Sequence, residues 1–234
     1  MALATIPGYP RIGKRRELKR ALEGYWSGKR TAAELNETAA TIRRANWEAQ
    51  IAAGLDIVPV NDFSLYDHVL DTCALVGAVP SRFGWDGDVV GPDLLFAMAR
   101  GGAGGEAAME LTKWFDTNYH YLVPEFSPGQ TFRLASDKPF AELEEAAALG
   151  VPAKPVLLGP VTFLLLGKMH EGNVDPLSLL DALLPVYAEV VRRLAAGGAA
   201  WIQLDEPALV LDLTPDQIAA VERAYAALAE AKGA

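Results

Sequence analysis

Asp56-Ile57-Val58-Pro59-Val60 reads as a short buried strand, and the run leaving it, Asn61-Asp62-Phe63-Ser64-Leu65-Tyr66-Asp67-His68, is dense in hydrogen-bonding side chains. A brief apolar run without alternation is what a strand covered on both faces requires. Ligands of α/β proteins sit where chain leaves the C-terminal ends of such strands, so residues 61–68 mark a candidate site. Outward from there, Pro155-Val156-Leu157-Leu158 is a second strand apolar on both faces, broken by Gly159-Pro160. Trp201-Ile202-Gln203-Leu204 is a third and runs into Asp205-Glu206-Pro207. Residues 131–134 and a short segment near Ala4 read as further strands.

Helical signals fill the intervals. Thr31 with Glu34 is a capping box ahead of Leu35, Ala39 and Ile42 at helical spacing. Residues 91–100, 106–113 and 161–166 read as short helices, and 138–149 as a helix capped by Ser136 or Asp137 and ended by Gly150. Asp175-Pro176 opens a long helix to Ala196, and Thr214-Pro215 with Gln217 caps a last one. Alternating strands and helices predict an α/β chain with a parallel sheet of about five strand-helix units. A closed barrel has eight units in about 250 residues, and at this spacing would need about 350. Either the sheet is open or the chain spans part of a barrel. No repeat or linker divides residues 1–234, which read as one incomplete domain.

The chain carries 21 cations and 30 acids, a net charge of −9. That balance argues against a broad nucleic-acid surface, which needs many clustered cations. No run of about 18 apolar residues is present and no signal-like start, so the expectation is no membrane span and a cytoplasmic location. Cys73 is the only cysteine, which excludes a disulfide within the chain and a multi-cysteine zinc site.

One stretch departs from the acidic background. Arg11, Lys14, Arg15, Arg16, Lys19 and Arg20 place six cations in ten residues, with Glu17 the only acid; without them the rest stands at 15 against 29, or −14. Gly8, Pro10 and Gly13 keep its first part irregular, and Leu18, Leu22 and Tyr25 then mark the buried stripe of a helix. Arg16 and Lys19, three apart, are expected to project together from the first turn, where free amides and the helix dipole favour an anion such as a carboxylate or phosphate.

The ordered strings Gly8-Tyr9-Pro10-Arg11-Ile12-Gly13, Arg16-Glu17-Leu18-Lys19, Tyr25-Trp26, Asp62-Phe63-Ser64-Leu65-Tyr66-Asp67-His68-Val69-Leu70-Asp71, Thr112-Lys113-Trp114-Phe115-Asp116-Thr117-Asn118-Tyr119-His120-Tyr121 and Asp205-Glu206-Pro207 closely resemble the N-terminal domain of cobalamin-independent methionine synthase. Tyr9 and Leu111 stand where phenylalanine and methionine are common in that family. The resemblance implies a TIM-type (β/α) barrel, incomplete in this chain, from a two-barrel methyltransferase. That enzyme moves a methyl group from 5-methyltetrahydropteroyltri-glutamate to homocysteine, giving methionine without cobalamin. Its zinc, which activates homocysteine, is held by the second barrel, so this chain alone is expected to be inactive. The motifs associated with the folate triglutamate fall on Arg16, Glu17, Leu18, Lys19 and Lys113. Arg16, Lys19 and Lys113 are expected to make ionic contacts, Glu17 to orient the cations, and Leu18 to contribute through its backbone.

Other polar groups have plainer readings. His68, His120, His170 and Cys73 fit no usual metal-ligand spacing and read as structural. Asp205 and Glu206 suggest an acid–base pair, but a structural or interdomain role is favoured. Trp114, Phe115, Tyr119 and Tyr121 suggest pterin stacking, but core packing is favoured; Cys73 reads as a buried small side chain. The alternative for the whole chain is a non-catalytic scaffold that docks to and stabilises the zinc-binding barrel.

Overall fold

The structure, a computed structural model, describes residues 2–170, 172 and 174–232. In chain order its elements are α1 (Glu17–Trp26), α2 (Ala32–Ala52), β1 (Val58–Val60), α3 (His68–Val76), α4 (Pro92–Arg100), β2 (Leu111–Lys113), β3 (His120–Leu122), β4 (Glu125–Phe126), α5 (Lys138–Ala148), β5 (Ala153–Leu158), α6 (Pro160–Leu165), β6 (Lys168–Met169), α7 (Leu180–Ala196), β7 (Gln203–Asp205) and α8 (Pro215–Lys232). The central sheet is parallel in the order β1-β5-β7, with Val60 opposite Pro155 and Leu158 opposite Asp205. Thr5 adds a parallel bridge to Ile57, so four chain segments lie side by side in one arc. Among the described residues the arc does not close into a barrel.

Sequence accounts for most of these elements. On β5, the central strand between β1 and β7, every residue from Lys154 to Leu158 is buried. The Thr31 hydroxyl accepts the Glu34 amide while the Glu34 carboxylate accepts the Thr31 amide, so the capping box starts α2 as expected. The Asp175 carboxylate accepts the Leu177 amide at 2.9 Å and begins a 3-10 turn that runs into α7. Thr214 and Gln217 exchange side-chain bonds at the head of α8.

Two predicted elements take other forms. Residues 131–134 form no strand; the amides of Arg133 and Ala135 donate to the carbonyls of Val76 and Leu75, at the C-terminal end of α3. The segment meets a helix end rather than a strand edge, which is why the parallel arc has one unit fewer than expected. Residues 106–113 are not helical; their last three form β2, antiparallel to β3 with Lys113 opposite His120. Thr112 and Trp114, with Tyr119 and Tyr121, suit a pleated hairpin better than a helix.

The main core lies between the sheet and α3, α6 and α7. A second cluster joins α1 to α2 through Leu18, Leu22, Leu35, Ile42, Phe63 and Phe96. It fixes the basic N-terminal stretch beside the loop that leaves β1, and so brings the two candidate sites together.

Candidate functional site

The basic stretch folds as a tight turn before α1. Gly13 has φ 80 and Arg16 has φ 59, both left-handed, and the Arg16 amide donates to the Gly13 carbonyl at 3.2 Å. Arg16 is therefore the residue that caps α1 and not part of its first turn. The anion at this helix start belongs to the chain itself. The Glu17 carboxylate accepts the Arg15 amide at 2.9 Å, and that bond, the Glu17 amide and nearby Arg20 and Arg15 hold it below the ordinary carboxylate range.

The structure brings some of the five resemblance-derived residues together. Lys19 is exposed, pairs loosely with Glu23 at 3.6 Å, and lines a cleft of about 380 Å³. Arg11, Trp26, Tyr66, Leu111 and His120 form much of the rest of its wall. Lys113 lies two residues from Leu111 on β2, hence on the same strand face, and pairs with His120 across the hairpin. Lys19 lines the cleft from α1 and Leu111 and His120 line it from the hairpin, whereas Lys113 itself lies outside the lining. Leu18 is fully buried under the cleft and donates its amide to the Ile12 carbonyl. Arg16 is exposed outside the cleft lining.

A larger cavity, about 510 Å³, opens at the C-terminal ends of β1, β5 and β7. The Asn61-Asp62 pair enters it from β1, Leu158 from β5 and Asp205 from β7; Trp114 reaches it from the hairpin and Lys138 from the start of α5. The N-terminal strap over it is tied down by side chains. Asp62 accepts the Tyr9 amide at 2.7 Å, Gln203 donates to the Pro7 carbonyl at 3.2 Å, and Arg11 donates to the Ser64 carbonyl at 2.8 Å.

Burial sets the charges here. It pushes the Asp62 carboxyl up to about 6, against the Tyr9 bond and helped by Glu142. It also pushes Asp67 up to about 6, although the amides of Leu122, Leu70 and Val69 donate to it, and it lowers His68 towards the neutral imidazole. Burial works against the Lys138 ammonium, but Glu142 at 3.2 Å and Asp71 at 3.4 Å outweigh it and raise its affinity for the proton. The Lys138 cluster was not legible as a site, since its partners lie on β1, α3 and α5; only the Lys138–Glu142 spacing of four hinted at it.

Other expectations resolve structurally. The Glu206 carboxylate accepts the amides of Val161 and Thr162 at the head of α6, and a Cβ at Gly159 would overlap it, so Glu206 is a capping group. Cys73 is fully buried, and burial raises its thiol well above the ordinary value. Tyr121 is core, while Trp114 packs edge-on to His68 at 4.5 Å and faces the cavity. Among the described residues, no group of three or more His, Cys, Asp or Glu is placed to hold a metal ion.

A parallel sheet with a cavity at its strand ends, flanked by a cleft that Lys19 lines, defines a protein of the α/β class. The match is more specific than that. Residues 3–234 match the N-terminal domain of cobalamin-independent synthase, and the chain belongs to that family. It is 57% identical over 99% of its length to the 5-methyltetrahydropteroyltriglutamate–homocysteine methyltransferase of Salinibacter ruber, and 55% identical over 99% to that of Caulobacter vibrioides. The chain spans 31% and 32% of those two relatives. A Listeria monocytogenes crystal structure assigned as a vitamin-B12-independent methionine synthase shares the fold, with TM-score 0.61 and 16% identity, covering 100% of this chain and 64% of the other.

Proposed function

We propose that this chain is the folate-tail-binding, N-terminal part of a methyltransferase that transfers a methyl group from 5-methyltetrahydropteroyltri-glutamate to homocysteine. The observation that carries the reading is the convergence of Lys19 and the Lys113-bearing hairpin on one cleft, in a chain whose relatives are named for that reaction. A triglutamate tail presents several carboxylates, and lysine ammoniums and an arginine fork suit them. Lys19 and Lys113 make the ionic contacts, Arg16 adds field from the cleft's edge, Glu17 fixes the turn that presents these cations, and Leu18 forms the floor.

In this reading the parallel arc is one side of a (β/α) barrel, and residues 1–234 are the first part of a longer cytoplasmic protein. Zinc and homocysteine belong to a second barrel. The described residues of this chain do not offer a zinc ligand set, so no step of the reaction is assigned to them. The scaffold reading is favoured by one observation, the exposed Leu209, Val210 and Leu211 beyond β7, a surface suited to docking.

Calorimetric titration with methyltetrahydrofolate carrying one or three glutamates, at low and high salt, separates the readings. Preferential, salt-weakened binding of the triglutamate is the expected result. A folded chain that binds neither form supports the scaffold instead.

A further inference from the structure

The cavity at the strand ends is separate from the cleft that Lys19 lines, and acids outnumber cations in its wall. Three carboxylates, Asp62, Asp71 and Asp205, face it, against one ammonium, that of Lys138. That ammonium is already engaged: it donates to Asn61 Oδ1 at 2.7 Å and pairs with Glu142 and Asp71. Asp62 and Asp205 have no ion-pair partner among the described residues. Lys154, the other cation they feel, directs its ammonium to the Ile6 carbonyl at 3.4 Å.

Hydrogen-bond donors around the cavity are largely committed as well. Tyr187 donates its hydroxyl to the Leu158 carbonyl and Thr72 donates to the His68 carbonyl. Acceptors remain on Asp62 and Asp205, which take the Tyr9 amide and the Gln203 side chain but pair with no cation among the described residues, while the buried Oδ2 of Asp71 faces the Lys138 ammonium at 3.4 Å. An anion entering here would meet carboxylates and few free donors. A cation would meet the reverse, in a space whose remaining wall is apolar and carries the face or edge of an indole.

We propose that this cavity binds a compact organic amine, its ammonium held by the carboxylates of Asp62 and Asp205 and its apolar body packed against Trp114, Leu157 and Pro139. The volume, about 510 Å³, lies within the usual span of small-molecule sites and exceeds what a lone inorganic cation would fill. The elevated proton affinity of Asp62 agrees with a partly buried carboxylate that has no ion-pair partner among the described residues. The Tyr9 amide on Asp62 and the Gln203 side chain on Asp205 and Pro7 make the N-terminal strap part of the same wall, so ligand and strap share their anchors.

The probes are phenethylammonium, the neutral 2-phenylethanol and the anionic 3-phenylpropionate, titrated into the 234-residue chain and followed by the indole N–H resonance of Trp114. Phenethylammonium is expected to shift it saturably, 2-phenylethanol to bind at least tenfold more weakly, and 3-phenylpropionate not to bind. Asp205→Asn and Asp62→Asn should each weaken the amine at least fivefold and leave the alcohol unchanged, while Lys19→Ala leaves both unchanged. Asp62→Asn keeps an acceptor for Tyr9 and removes a buried charge, so it serves if Asp205→Asn fails to fold. Equal affinity for amine and alcohol, preference for the anion, no saturable shift in a chain with a cooperative melt, or amine binding indifferent to the substitutions would overturn the proposal. Loss of triglutamate binding alone would not, since that reading rests on the other cleft.

Discussion

The Lys138 ammonium donates to the Oδ1 of Asn61 at 2.7 Å, across a gap of 77 residues, and so locks the start of α5 to the end of β1. Asn61 holds a left-handed φ of 62, which asparagine tolerates better than most residues. From that conformation its amide reaches Glu142 at 3.0 Å and its Nδ2 reaches the Val156 carbonyl at 2.8 Å, on β5. Asn61→Ala should cost about 3 kcal/mol: about 1 for the left-handed backbone and about 1 for each side-chain bond lost. Lys138→Met should cost about 3–5 kcal/mol, because Glu142 and Asp71 lose the ammonium between them. Urea denaturation measures both, and a loss below 1 kcal/mol for Lys138→Met would show that the cluster is not a structural unit.

Asp62 gives the protein a pH dependence of definite sign. Its folded value of about 6 lies above the ordinary 3.8, so the folded chain holds this proton more tightly than the unfolded chain does. The stabilisation is complete below about pH 4 and is lost as pH rises through about 6. Because Asp62 is only partly shielded from solvent, the loss is about 2 kcal/mol rather than the full value of the shift. Asp62→Asn should therefore be more stable than the parent at pH 7.5 and show a flatter stability profile between pH 4 and 6. A steeper profile in the variant would contradict the assignment.

Local rules made much of this legible in the sequence. β1 and β5 are apolar runs closed by Asn-Asp and Gly-Pro, β7 ends in Asp-Glu-Pro, and the caps at Thr31, Asp175 and Thr214 are residue-level features that the folded chain keeps. Residues 131–134 failed because a run of four residues carries no information about its partner, and here the partner is the end of α3. The hairpin of β2 and β3 failed for a related reason: its strands have three residues each, too few for alternation to outweigh a helical reading. The cavity was half legible. Asn61, Asp62 and His68 stood out at a strand end, whereas Asp71, Lys138 and Trp114 enter it only through tertiary packing.

Arg16 separates backbone strain from charge. A non-glycine residue at φ 59 carries a penalty of about 1 kcal/mol, and such outliers cluster at functional positions. Arg16→Gly should raise stability by up to about 1 kcal/mol while lowering triglutamate affinity, with little effect on the monoglutamate. Thermal melts and titration of the same protein read both effects. If affinity is unchanged, Arg16 contributes no field to the tail site. Lys19→Ala should lose more triglutamate affinity than Arg16→Gly, since Lys19 lines the cleft, and Lys113→Ala should do so too if the hairpin that lines the cleft carries the tail site.

The edge beyond β7 carries the last prediction. β7 pairs with β5 on one side and with no other strand among the described residues. The 3-10 turn after it leaves Leu209, Val210 and Leu211 exposed, Val210 at 81%, and Trp201 before it is exposed as well. An unpaired parallel edge beside an apolar patch recruits partners, because backbone donors and hydrocarbon surface are both left in water. The chain should therefore self-associate with rising concentration in sedimentation velocity. Val210→Lys with Leu211→Glu should suppress that association and change the melt by no more than about 0.5 kcal/mol, because neither side chain is buried. The same pair should weaken docking of a separately produced C-terminal part from a full-length relative, if that part packs on this edge. A chain that stays monomeric at every concentration would mean that its own strap and turn already shield the edge, and the docking surface would then have to lie elsewhere on the fold.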